Sequence, residues 1–202
     1  ETRKDTMEKW RYFFAVLLVI SLPPGLLVWF YVHPFVSFWR KLGPAVTLTL
    51  AVAQIIGSMA ALYFVRDFLI GRDLGTHMIP LILAACTGLA ATSLALARKK
   101  HLTMRILAGV PELQADGKGG ALLSEGVYSR IRHPRYVEIV LGSLAYALFA
   151  NYLGAYIMAF LTIPGLHAIV LLEERELVER FGQEYRDYAL RVPRYIPGRK
   201  AS

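Results

Sequence analysis

The sequence predicts an all-α membrane protein built as a bundle of about five transmembrane helices. Three observations favour this class. Hydrophobic residues make up 55% of the 202 positions and charged residues only 19%, which is too apolar for an ordinary soluble domain of this length. The charges are bunched between long apolar runs instead of being spread along the chain. The longest of these runs exceed the roughly 20 residues that a helix needs to cross a bilayer core of ~30 Å.

Each apolar run is assigned to one predicted span. The five spans cover residues 12–32, 44–65, 77–97, 134–151 and 153–172. Pro23 and Pro24 predict a kink or a break in the first span, and a re-entrant first segment remains open. Pro44 suits the first position of the second span. After the fifth span, residues 173–190 form a stripe of apolar side chains opposite charges, the pattern of an amphipathic surface helix.

The spans divide the chain into two parts. Residues 1–97 hold three spans, and residues 98–202 hold a long polar segment, two spans and the C-terminal helix. Asp116–Gly120 is rich in glycine, which predicts the tip of a loop. Five spans place the polar segment and the C-terminus on one side, together with most of the 23 Lys and Arg residues. The positive-inside rule therefore predicts that this side is cytosolic, at the plasma (inner) membrane in a prokaryote.

The formal charge of +8 indicates an anionic partner. Nucleic acid is one such partner, but basic residues that flank membrane spans favour the anionic headgroups of lipids instead. The single cysteine, Cys86, lies inside an apolar run. That excludes an intramolecular disulfide framework and a Cys-based metal site, and we expect no bound metal. The sequence does not indicate an oligomeric state.

The chemistry of the chain is concentrated in a basic turn that directly precedes the fourth span. The turn covers residues 126–136 and contains several Arg and Tyr side chains. Pro134 suits the first position of a helix, so His133 falls at the cap position. Glu138 follows in the early turns, where a carboxylate is favourable against the helix dipole. Arginines at headgroups commonly hold a span in the interface, whereas His133 at a helix mouth is a candidate functional residue.

An acidic pair, Glu173 and Glu174, follows the fifth span on the same predicted side. A carboxylate at the end of a membrane helix is costly unless water or a partner meets it, so such residues are functional candidates. Glu174 lies seven residues after His167, which places both on one helix face about 10 Å apart. A salt bridge to one of the arginines is the alternative role for Glu174, and a buried structural role is the alternative for His167. Together the clusters suit a zwitterionic ligand with an aromatic ring.

Three motifs occur in order along residues 98–198. They are Gly126-Val-Tyr-x-x-x-Arg-His-Pro-x-Tyr136, Glu173-Glu-x-x-Leu177-x-x-x-Phe-Gly-x-x-Tyr-x-x-Tyr188 and Arg191-Val-Pro-Arg-x-Ile-Pro197. In this order, with a two-span hairpin between the first two, the chain resembles the isoprenylcysteine carboxyl methyltransferase and phospholipid methyltransferase superfamily. The resemblance implies an integral membrane methyltransferase that uses S-adenosylmethionine and acts on a lipophilic acceptor.

The resemblance also implies roles for individual residues. The cofactor would be bound by the turn, the helix mouth and the acidic pair, that is, by Gly126, Val127, Tyr128, His133, Pro134, Tyr136, Glu173 and Glu174. Glu174, with Glu173, would receive the methionine ammonium. His167 and Glu174 are the candidate catalytic residues, with His167 on the acceptor side. The candidate substrate-binding residues are Arg132, Tyr185 and Arg191.

Two departures from the family pattern bear on the acceptor. The family often has Gly at the position of Glu138, and its carboxyl methyltransferases tend to carry an Arg shortly before the acidic pair, where this chain has none in residues 167–172. Glu138 places a carboxylate near the cofactor mouth, and the missing Arg weakens carboxyl methylation specifically. The acceptor therefore stays open among a phospholipid amine, a prenylated thiol or carboxylate, and a small hydrophobic thiol or phenol. An NADPH-dependent enzyme resembling the membrane sterol reductases and a non-enzymatic membrane protein are the alternative functions.

Overall fold

The computed structural model describes residues 3–99 and 122–198. The predicted loop tip at Asp116–Gly120 lies outside the described residues. The described residues form seven α-helices: α1 Arg3–Val32, α2 Val36–Phe64, α3 Arg66–Ile70, α4 Met78–Lys99, α5 Pro134–Ala150, α6 Leu153–Phe181 and α7 Gln183–Arg191. In these two segments, strand character is limited to one isolated bridge between Asp73 and Tyr152. The all-α class is thus confirmed.

Four of these helices, α1, α2, α4 and α6, are long and apolar enough to cross a membrane. This confirms the prediction of a membrane protein. Helix α5 coincides with the fourth predicted span but has only 17 residues. It packs against α1, α4 and α6 in the middle of the bundle, so five spans remain the prediction of the sequence.

Helix α1 continues through Pro23 and Pro24, so of the predicted kink or break the break is wrong, and the kink stays a prediction. Pro24 is fully buried against the bundle. In an apolar environment, packing against neighbouring helices holds a proline-containing helix together. The helix runs the length of the bundle, from Arg11, which contacts Ala150, to His33, which contacts Glu176. This geometry favours a full span over the re-entrant alternative.

Two boundaries differ from those expected. Residues 36–42, predicted to be loop, are the first turns of α2, and Gly43 interrupts that helix with φ 77°. Pro44 then restarts the helix where the sequence places the span. The prediction of one surface helix over residues 173–190 is wrong, because its first half continues α6 to Phe181 and Gly182, with φ 58°, separates it from α7. Residues 173–181 are mostly good helix formers, so the helix continues through them. The positive φ at position 182 favours glycine and ends the helix there.

A buried arginine closes one end of the bundle. Arg11 is 2% exposed and donates from Nε to the carbonyl of Ala150 at 3.0 Å. Its other nitrogens contact Thr76 and Asp73 in the loop before α4. One side chain therefore ties α1 to the 71–77 loop and to the turn between α5 and α6.

The opposite end holds the polar residues that the sequence singles out. Glu176 on α6 is buried and lies 3.0 Å from His33 Nδ1 at the end of α1, with Arg40 of α2 at 3.4 Å. Below it, Leu166, Ile169 and the neighbouring core residues pack α6 against α5 and α1. These contacts fix the ends of α5 and α6 side by side. The basic turn and the acidic pair consequently lie at the same end.

Gly154 allows α6 to approach α3 closely, which gives the first prediction. A Cβ atom at Gly154 would collide with the backbone carbonyl of Leu69, whereas a Cβ at Gly57 on α2 would meet open space. We expect Gly154→Ala to lower the free energy of unfolding by about 1–3 kcal/mol, as overpacking does, measured by thermal unfolding in detergent. Gly57→Ala is the matched control and should be neutral or slightly stabilising. Equal stability of the two variants would contradict the packing described.

Candidate active site

The basic turn is shaped by its own backbone and by the C-terminal segment. Gly126 starts a 3-10 turn, Gly126–Ser129, with φ 61°, a conformation that favours glycine. After this turn the chain is irregular through His133, and Pro134 begins α5. The backbone N–H groups of Arg132 and His133 donate to the carbonyls of Pro193 and Arg194, at 2.9 and 3.1 Å. Residues 192–195 are thereby held alongside the turn.

The carboxylate of Glu174 is the centre of the cluster. Its Oε1 accepts from Arg132 Nε at 3.0 Å and lies 3.1 Å from His133 Nε2. Its Oε2 accepts from Arg194 Nη2 at 2.8 Å. The Arg132 side chain is only 2% exposed, and it also donates to the carbonyls of Ala189 and Val192. Glu174 therefore joins α6, the basic turn and the C-terminal segment through charge-assisted hydrogen bonds, the stronger kind in proteins.

The imidazole of His133 lies between the two carboxylates of the acidic pair. Its Nδ1 is 3.5 Å from Glu173 Oε2, and its Nε2 contacts Glu174. Burial alone would lower the pKa of His133, but the two carboxylates outweigh it and hold that pKa above its ordinary value. Beyond this 3.5 Å contact with His133, the buried Oε2 of Glu173 has no closer hydrogen-bond partner among the described residues. Glu173 can therefore accept a further hydrogen bond, whereas both oxygens of Glu174 already have partners.

Tyrosines surround the charged cluster. Tyr188 is buried and donates from its hydroxyl to the carbonyl of Tyr128 at 2.7 Å. The rings of Tyr136 and Tyr195 lie 5.6 and 6.3 Å from the ring of His133. Burial raises the pKa of both Tyr188 and Tyr195 to about 12, so these phenols stay protonated at neutral pH. The site therefore combines fixed charges with neutral aromatic surface.

The structure brings most of the predicted site residues together. The residues that meet around His133 and Glu174 are Tyr128, Arg132, Pro134, Tyr136, Glu173 and Tyr185. Gly126 and Val127 lie in the 3-10 turn that leads into them. His167 is exposed, and its Nδ1 is 2.9 Å from the Tyr195 hydroxyl, which connects it to the edge of the cluster. Of the two alternative roles, the salt bridge of Glu174 to arginines is present, whereas His167 is exposed and has no buried structural role.

Arg191 is the predicted residue that the structure leaves apart. Its side chain is exposed at the end of α7, where Nε donates to the carbonyl of Asp187. Arg194, three residues later, occupies the position at Glu174 instead. Glu138, predicted near the cofactor mouth, is held by Arg98 of α4 at 2.8 and 3.1 Å. The sequence analysis does not single out Arg194 and Tyr195, although both lie in the third motif. The motif contains two arginines, Arg191 and Arg194, and its spacing does not tell which of them faces Glu174.

The pairing of Glu174 gives the second prediction. Glu174→Gln would remove the charge that balances Arg132 and Arg194, and a buried ion pair broken on one side typically costs about 3–5 kcal/mol. We expect a loss of this order in the free energy of unfolding, measured by thermal unfolding in detergent. Glu179→Gln, on the same helix but exposed, is the matched control and should change stability little. A Glu174→Gln protein as stable as the control would show that the cluster does not hold the C-terminal segment.

Comparison with known proteins supports the family resemblance. No family model and no solved structure matches the chain. The chain is 33% identical over 75 residues to methanethiol S-methyltransferase 1 of Bradyrhizobium diazoefficiens, a match that covers 37% of the chain and 26% of that protein. It is 30% identical over 81 residues to the protein-S-isoprenylcysteine O-methyltransferase of Schizosaccharomyces pombe, covering 40% and 34%. The match thus spans a quarter to a third of these relatives. Both relatives support a resemblance to the isoprenylcysteine carboxyl methyltransferase family.

Proposed function

We propose that this protein is an integral membrane methyltransferase that uses S-adenosylmethionine and methylates a lipophilic acceptor. One observation carries the proposal: three separated motifs converge on Glu174. The basic turn, the acidic pair and the Arg194 segment form one charged and aromatic cluster at one end of a membrane bundle. The similarity to two methyltransferases supports the same conclusion. The sterol-reductase and non-enzymatic alternatives have no comparable support.

The residues of the cluster fit the chemical groups of S-adenosylmethionine. The methionine part carries an ammonium and a carboxylate, and the adenosine part carries an aromatic base. Glu173 offers a buried oxygen, Oε2, whose contact with His133 Nδ1 is 3.5 Å long and which has no closer hydrogen-bond partner among the described residues, so it suits the ammonium. Arg194, 27% exposed, suits the carboxylate, and Tyr128 and Tyr136 offer aromatic surface for the base. Because Glu174 already binds three cationic groups, we assign the ammonium mainly to Glu173 and give Glu174 the role of holding the site together.

The residues of the chain orient the reactants and provide the charged groups of the site. When bound, S-adenosylmethionine would supply a methyl group activated by a positively charged sulfur. Displacement at such a group depends mainly on orienting the reactants, so a rigid binding cluster is the main requirement. Arg132 and His133 hold the Glu173–Glu174 pair in place. His167, fixed by the Tyr195 hydroxyl, is our candidate for accepting a proton from an amine, thiol or hydroxyl acceptor.

The membrane arrangement suits a soluble cofactor and a lipophilic acceptor. We propose that the end of the bundle that carries Glu174 faces the cytosol, as the distribution of Lys and Arg predicts. The cofactor would then reach the cluster from water, and the acceptor would reach it sideways from the bilayer. The names of the two relatives give a thiol and an isoprenylcysteine as acceptors. For this chain, the class we propose is a lipophilic nucleophile at the plasma membrane.

Binding of S-adenosylhomocysteine, the demethylated cofactor, tests the proposal. We expect calorimetric titration of the folded, detergent-solubilised protein to show one site. Glu173→Gln should weaken binding at least about tenfold, because charge-assisted hydrogen bonds are the strong ones. The control Glu179→Gln should bind like the wild type. Absence of binding to the wild type, in a sample whose thermal unfolding is cooperative, would contradict the proposal, and tight NADPH binding in its place would favour the reductase.

A further inference from the structure

A groove of about 880 Å³ lies between the end of α6 and α7. Arg132, Glu174 and Arg194 form part of its wall, whereas His133 and Glu173 do not line it. The groove therefore lies beside the proposed cofactor site and shares one wall with it. The proposed function gives this space no role.

Along α6 the lining of the groove changes from apolar to charged. Leu171 lines it on a helix that is a candidate membrane span, and is 38% exposed. Arg175 follows four residues later, about 6 Å along the helix axis. On α7, Leu190 lines the same groove and is 77% exposed. Exposed apolar side chains next to a cation match the membrane interface, where acyl chains give way to charged head groups.

The groove carries two arginines that no carboxylate neutralises. Four arginines and two glutamates line it, and two of these arginines are paired with Glu174. The other two, Arg175 on α6 and Arg186 on α7, are exposed and form no ion pair in the described part of the chain. The second glutamate, Glu179, lies one helical turn beyond Arg175. The groove therefore offers an anion one unneutralised guanidinium group from each helix.

A buried hydroxyl group in the groove also lacks a partner. Tyr185 lines the groove and is 2% exposed, and its hydroxyl has no hydrogen-bond partner among the described residues. Burial, followed by the charge of Glu174, raises the pKa of Tyr185 above its ordinary value, so the hydroxyl stays protonated and can donate. A buried donor without an acceptor is costly. An oxygen of an anion bound beside Arg186 would satisfy it.

We propose that this groove is a binding site for an anionic phospholipid. Arg175, Arg186 and the Tyr185 hydroxyl would hold its phosphate, and Leu171 and Leu190 would contact an acyl chain. The three polar groups are donors, and a phosphate offers several charged acceptor oxygens. A soluble phosphate would leave the exposed leucines unused, so a membrane lipid is the source that we propose. This binding needs neither the cofactor nor the acceptor and does not depend on the proposed function.

Native mass spectrometry of the detergent-solubilised protein tests the assignment. The protein is titrated at pH 7 with phosphatidylglycerol or with phosphatidylcholine of the same acyl chains, and the dissociation constant of the first bound lipid is measured. Both lipids contain the phosphate, but only phosphatidylglycerol carries a net negative charge. We expect phosphatidylglycerol to bind at least about fivefold more tightly, which is roughly the contribution of one arginine near an anionic lipid. Equal affinity for the two lipids would overturn the proposal.

Variants locate the site. Arg175→Gln and Arg186→Gln should each weaken phosphatidylglycerol binding about fivefold. Tyr185→Phe should weaken it about tenfold, as loss of a hydrogen bond to a charged group does, without lowering Tm, because the hydroxyl has no partner among the described residues. Arg191→Gln is the matched control, since Arg191 is exposed on the same helix but does not line the groove. An equal loss in the control would show a general effect of surface charge and overturn the site.

Two further titrations separate an anionic lipid from other occupants. Inorganic phosphate in about tenfold excess should not displace phosphatidylglycerol, because it makes no contact with the leucines. Displacement would assign the groove to a soluble phosphate and overturn the lipid assignment. Phosphatidylethanolamine carries an ammonium that Glu179 could bind, and we expect it to bind no more tightly than phosphatidylcholine. Tighter binding of phosphatidylethanolamine than of phosphatidylglycerol, lost in Glu179→Gln, would overturn the anionic assignment.

S-Adenosylhomocysteine binding, measured on the same proteins, separates the lipid site from the proposed function. We expect Arg175→Gln and Arg186→Gln to bind S-adenosylhomocysteine like the wild type. Loss of that binding in both variants would make the groove part of the cofactor site and overturn the lipid assignment. Lipid selection by a wild type that does not bind S-adenosylhomocysteine would contradict the proposed function alone.

Discussion

The carboxylate of Glu174 holds together one end of the molecule, the end to which we assign the cofactor site. A charge at the end of a membrane helix is costly unless partners compensate it, and here three cationic groups from two other segments do so. The same contacts hold these segments in place around α6. Arg132 and His133 fix the start of α5 against the end of α6, and Arg194 fixes the chain after α7 over both. Without this carboxylate, three positive groups would lie together in a largely buried site.

The two ends of the bundle use charge in different ways. At one end a single buried arginine, Arg11, binds the carbonyl of Ala150 and the side chains of Thr76 and Asp73. At the other end the charges are more numerous and one of them, on Glu173, retains acceptor capacity. Tyrosines with neutral hydroxyls line the same region. The first arrangement closes a bundle, and the second suits the binding of a charged and aromatic cofactor.

The sequence predicts the class, the position of most helices and the convergence of the basic turn with the acidic pair. These features follow from hydropathy and from which side of the membrane each polar segment reaches. What it could not predict depends on local packing. Pro23 and Pro24 lie within an unbroken helix because the bundle supports it, and the helix expected over residues 173–190 is divided where Gly182 adopts φ 58°. Arg194 takes the place expected of Arg191, since which of two nearby arginines faces Glu174 depends on where α7 ends.

The central claim is that the cluster around Glu174 is the cofactor site, and hydrogen–deuterium exchange with and without S-adenosylhomocysteine tests it most directly. The account predicts slower exchange in peptides that cover residues 126–136 and 183–195 when the ligand is added. Peptides from the 71–77 loop, at the Arg11 end, should not change. Protection at the Arg11 end, or no protection around Glu174 under conditions where calorimetry shows binding, would contradict it.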